Sequence, residues 1–156
     1  MSWRKTPAVM SAVAALALVS PTHAHAAPCT HWVLKSPALN MNLSNGQTAS
    51  FDWNQELGTQ SARDGMQPNA KLQAPDGDSW DGYASLGIQG GMIAGPVSWH
   101  PRQGDFGGTP VTEMVINSTF TGNIADPGSA RGSAHDNKGA TVDWVGASIF
   151  DCADAS

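Results

Sequence analysis

The sequence predicts an all-β fold: a single antiparallel β-sandwich or jelly-roll-like domain, with a small closed β-barrel as the alternative. Three observations carry this. Apolar and polar residues alternate in several runs, turn dipeptides punctuate those runs, and all 17 glycines fall after residue 26. That glycine density is about twice the usual ~7 per cent and works against long helices.

From the amino terminus, residues 1–26 read as an export signal. Arg4 and Lys5 supply a positive start, Pro7 to Val19 a short Ala-rich apolar stretch, and Ala24-His25-Ala26 a small-x-small cleavage site. The apolar stretch is shorter than the ~20 residues a transmembrane helix needs. The expected product is one secreted domain, residues 27–156, in an extracellular or periplasmic setting. It keeps six of the eight basic residues and all 13 acidic ones, a formal charge of −7. Such a balance argues against nucleic acid and anionic membranes as partners. The expected partner is a soluble ligand or protein of unknown identity, and no membrane span is expected.

Cys29 and Cys152 are the only cysteines. In an oxidising compartment a lone pair in a small domain pairs with itself more often than it binds metal. The prediction is a Cys29–Cys152 disulfide that clasps the first and last strands.

His31–Lys35 is the first candidate strand. Asn45-Gly46 then marks a turn before Gln47–Trp53, where Ala49, Phe51 and Trp53 share one face and Thr48, Ser50 and Asp52 the other. Asn54–Gly65 is the one stretch long enough for a short helix or helical turn. Gly82–Gln89, Met92–His100 and Ser129–Ala134 are further strand candidates. The longest alternation, Thr112–Ile124, sets Met114, Ile116, Phe120, Gly122 and Ile124 against a polar face. Thr141–Phe150 is apolar on both faces, which predicts a central strand covered on each side. Asp64-Gly65, Asp76-Gly77, Asp81-Gly82 and Lys138-Gly139 read as further turns.

Site candidates are few. Asp76, Asp78 and Asp81 gather three carboxylates around Trp80, the ligand type that Ca²⁺ prefers, although their spacing departs from an EF-hand. Ca²⁺ is the one cofactor this loop suggests, and two successive Asp-Gly turns without a metal are the reading preferred over it. Trp80 and Trp99 adjoin polar loops, where exposed aromatics suit stacking on a sugar or anchoring a protein; core packing is the competing reading. Glu56 and Glu113 are the only glutamates, and a glycosidase-like reaction needs two carboxylic acids close together. Gly104 to Pro110 looks like the nucleophile loop of trypsin-like proteases, but Phe106 occupies the nucleophile's place and cannot attack a carbonyl. His31, His100 and His135 lack zinc-ligand spacing. Asn42-Leu43-Ser44 and Asn117-Ser118-Thr119 are formal glycosylation sequons.

The residues therefore predict a secreted, non-enzymatic binding module for a carbohydrate, small ligand or protein. A small secreted hydrolase using Glu56 and Glu113, and a structural cell-envelope protein, are the alternatives.

Overall fold

Alternating side chains give this chain its elements, and a computed structural model describes them over residues 28–61, 67–102 and 115–154. Twelve strands and no helix occur among the described residues. They are β1 (Trp32–Leu34), β2 (Ala38–Leu43), β3 (Thr48–Asn54), β4 (Thr59–Gln60), β5 (Ala70–Gln73), β6 (Ser79–Ala84), β7 (Gly87–Gln89), β8 (Met92–Pro101), β9 (Ile116–Ala125), β10 (Ser129–Asp136), β11 (Thr141–Gly146) and β12 (Phe150–Cys152).

Eight of these strands meander antiparallel in chain order, β2, β3, β5, β6, β8, β9, β10 and β11, and β11 then pairs back onto β2. The sheet thus closes into a barrel, which leaves no edge among these eight. The closed barrel is the alternative named above; the two-sheet sandwich is not the architecture found. Two strands are broken along their length. β4 and β5 both pair with β3, at different heights, and β6 and β7 both pair with β8.

Period-two alternation decides what fills the barrel. Leu39, Met41 and Leu43 of β2, Ala49, Phe51 and Trp53 of β3, and Phe120 and Ile124 of β9 all point inward and are buried. Three rings meet at mid-height: Phe51 lies 5.9 Å from Trp99 and 5.4 Å from Phe120, centroid to centroid. Two glycines make room for indoles. A Cβ on Gly82 would come within 2.4 Å of Trp99 Cζ3, and one on Gly122 within 2.3 Å of Trp144 Cζ2. Both positions face inward by alternation, and both are glycine because a neighbouring ring occupies the volume a side chain would need.

The two ends differ. At one end β1 and β12 pair as a ribbon, Trp32 opposite Cys152 and Leu34 opposite Phe150. Trp32, Leu34 and Phe150 are buried and join the barrel's core, closing this end. A buried polar pair supports it: Gln60 accepts the Leu86 N–H at 2.7 Å, and Asn69 accepts the Ala84 N–H at 2.8 Å while donating to the carbonyls of Ser61 and Ala84. Buried amides satisfied in this way hold chain segments that lack ladder partners. The Cys29–Cys152 disulfide locks the ribbon, with Cα atoms 5.9 Å apart. The clasp predicted from the sequence is present and joins the first and last described strands.

Three expectations need correction. Thr141–Phe150 is not a doubly covered strand: it divides into β11 and the start of β12, and Val145 and Ile149 are exposed on the outer surface. The ribbon partner of β1 is therefore β12, while β11 closes the barrel. Asp81-Gly82 is not a turn but the middle of β6. No short helix follows Asn54; residues 55–58 form a turn leading into β4, and Asp64-Gly65 lies outside the described residues. Residues 1–26 lie outside them as well.

Candidate functional site

Among the described residues, the end opposite the ribbon is built from tight turns. Asn45-Gly46 joins β2 to β3, Asp76-Gly77 joins β5 to β6, and Lys138-Gly139 joins β10 to β11. Their glycines have φ of 90°, 101° and 90°. Only glycine takes such values without strain, so the dipeptides legible in the sequence fix the rim. Side chains brace each turn. Asn45 Oδ1 accepts the Gln47 N–H at 3.0 Å, Asp76 Oδ1 the Asp78 N–H at 3.0 Å, and Asp136 Oδ1 the N–H groups of Lys138 and Ala140 at 2.8 and 2.9 Å.

Inside this rim lies a cavity of about 340 Å³. Leu43, Leu72, Trp99, Ile116, Phe120 and Val142 form its apolar wall, and Ser44, Asn45, Gln47, Asp136 and Thr141 its polar upper part. Trp99 and Phe120 are buried, whereas Ser44, Asn45 and Thr141 are exposed. The cavity therefore runs from the rim down to the three-ring cluster. It exists because the inward positions at this height include Ser118 and Ala134, whose small side chains leave the barrel's width unfilled. A cavity of ~150 Å³ suffices for benzene, and ligand sites fall in the range of about 300–1,000 Å³.

One polar group sits deep in the wall. Trp99 Nε1 donates to Ser118 Oγ at 3.0 Å, and Ser118 is only 8% exposed. The hydroxyl accepts this bond and keeps its own hydrogen, and no hydrogen bond donated by it occurs among the described residues. Asp136 is the only carboxylate of the lining, and no lysine or arginine lines the cavity among the described residues.

The sequence-derived candidates are placed as follows. Trp99 lines the cavity from within the core. Trp80 is buried and inward in β6, at 8% exposure. Neither is an exposed platform for stacking a sugar, because alternation turns both toward the interior. Asp76 belongs to the β5–β6 turn, and Asp81 faces outward on β6, 3.9 Å from Arg102 with both side chains largely in water. Asp76, Asp78 and Asp81 do not converge. Among the described residues the one set of three potential ligand atoms within 4.8 Å of one another belongs to Cys29, Cys152 and Asp154, where the sulfurs are already spent in the disulfide. Glu56 is exposed in the turn after β3, at the closed end and away from the cavity. Glu113 lies outside the described residues. His100 stands on the outer face of β8, where Nε2 is 3.0 Å from Ser98 Oγ and its ring meets Tyr83 edge-on at 5.2 Å. Asn42 and Asn117 are both exposed on the outer surface.

Sequence reasoning missed Ser118. The available signal was a polar residue at an inward position between Ile116 and Phe120. Comparison with known proteins adds no assignment: no family model matches the chain, and no curated protein or solved structure matches it significantly.

Proposed function

We propose that this protein is a secreted binding protein that takes a small, mainly apolar molecule into the turn-rimmed end of its barrel. The single observation carrying this reading is the 340 Å³ cavity that descends from an exposed polar rim to buried Trp99 and Phe120. An eight-stranded barrel is just wide enough either to fill with side chains or to hold one small ligand, and here one end does each. Burial of Trp80 and Trp99 removes the exposed aromatics on which a carbohydrate reading rested, and the apolar wall favours a hydrophobic guest. The disulfide supports an oxidising compartment, in keeping with the export signal read from residues 1–26.

The test is titration of the protein expressed from residue 27 with N-phenyl-1-naphthylamine, an uncharged dye that brightens in apolar surroundings. Saturable, one-to-one binding is expected. Val142→Trp, which fills the cavity from β11, is expected to weaken it at least about tenfold, the effect of losing roughly 1.4 kcal/mol of apolar contact. Melting should stay cooperative. Binding left intact in Val142→Trp would place the dye elsewhere and overturn the reading.

A further inference from the structure

Two of the cavity's polar groups, Ser118 and Asp136, specify what its guest carries, an inference that rests on the binding reading above. We infer that the ligand is an uncharged molecule with a hydrogen-bond-acceptor oxygen on an apolar body, seated so that the oxygen receives the Ser118 hydroxyl.

The deep end sets the first half of this specification. Ser118 Oγ is engaged as acceptor by Trp99 Nε1 at 3.0 Å, so its remaining capacity is donation. The indole is held in place by the rings of Phe51 and Phe120, and its bond to Ser118 restrains the hydroxyl beside the cavity. A buried donor without an acceptor is costly, and a guest that supplies one recovers that cost, whereas a guest of equal shape without an oxygen does not. Sites built around a polar partner reject analogues lacking it for this reason.

The rim sets the second half. Asp136 is half-buried, and its Oδ1 is fixed by two backbone N–H groups of the β10–β11 turn. Among the described residues it is the one carboxylate lining the cavity, and no lysine or arginine lines it, Lys138 lying in the adjoining turn. An anionic guest would lose its hydration next to a like charge. Carboxylates such as fatty acids are therefore selected against.

Three probes of nearly equal shape separate these possibilities: acetophenone, which carries a carbonyl; cumene, which replaces it with a carbon; and benzoate, which is an anion. Each is titrated against the protein by calorimetry and by following the Trp99 indole N–H resonance. Acetophenone is expected to bind about five- to tenfold more tightly than cumene, the worth of one hydrogen bond, and benzoate more weakly than both. In Ser118→Ala the preference for acetophenone over cumene should fall to about one while cumene affinity holds, and Ser118→Thr should restore it. Asp136→Asn, which retains the oxygen that braces the turn, should raise benzoate affinity several-fold relative to acetophenone. The wild-type comparison decides the matter even where a variant folds poorly. Equal binding of acetophenone and cumene, or tightest binding of benzoate, overturns the inference. If N-phenyl-1-naphthylamine binds and none of the three probes does, the inference fails alone. If nothing binds, the cavity reading fails with it.

Discussion

The barrel's two ends are made from the same alternating strands yet finished in opposite ways. At the closed end, Trp32, Leu34 and Phe150 from outside the barrel fill its interior, and buried Gln60 and Asn69 satisfy the backbone where the strands break. At the rim, short turns carry polar side chains and the inward positions shrink to Ser118 and Ala134. The difference teaches that a small barrel can assign stability and recognition to separate halves. Closure at one end supplies the packing that lets the other remain hollow.

Removing the plug is the strongest way to break this comparison. Phe150→Ala, at a side chain with no exposed surface, is expected to cost about 3–5 kcal/mol in a urea titration, while dye affinity measured well below the midpoint stays within about twofold. Loss of binding in the still-folded variant would show that the two ends are not separate.

Opening the clasp comes next. With the cysteines 123 positions apart in sequence, replacing both by serine is expected to cost roughly 2–5 kcal/mol. The urea midpoint should fall with little change in cavity affinity. A midpoint unchanged from wild type would mean that packing of the ribbon alone seals this end.

The smallest effect concerns the ribbon's fringe. The Thr30 backbone N–H and hydroxyl donate to Asp154 at 2.8 and 3.0 Å and hold that carboxyl below its ordinary range. A lowered folded-state value means the contribution is present above the unfolded value and lost as pH falls through the folded one. Melting temperatures of wild type and Asp154→Asn should therefore differ slightly at neutral pH and converge in strong acid. A gap that persists at low pH would assign the effect to the side chain's shape rather than its charge.

Most strands were legible because their inward positions are apolar. Gln47–Trp53 and the described part of Thr112–Ile124 fold with the faces that alternation assigns. β6 was obscured for a physical reason. Gly82 holds an inward place where only the absence of a side chain accommodates Trp99, so the start of β6 up to Asp81-Gly82 read as an acidic loop and turn, with a strand expected only from Gly82 onward. Barrel and sandwich could not be told apart, because alternation reports which way a side chain faces and not whether the last strand of a meander finds the first. The site was least legible. It consists of what two small residues, Ser118 and Ala134, leave empty, and their sequence positions carry no apolar signal of a void.

The barrel's closure has a further consequence for motion. Seven of its eight seams join strands that follow one another along the chain, whereas β11 meets β2 across about a hundred residues and over only three paired positions, Trp144 with Leu43, Val145 with Asn42 and Gly146 with Met41. β8 and β9 share eight. A short ladder opens more readily than a long one, so the stave between β2 and β11 is where this cask loosens first. Leu43 and Val142 stand on either side of that joint and also wall the cavity. The amides of Ser44 and Ala147, which donate across this seam to the carbonyls of Asp143 and Asn40, should exchange with solvent ahead of those in β8 and β9, and a bound guest, by bridging the two staves, should slow them.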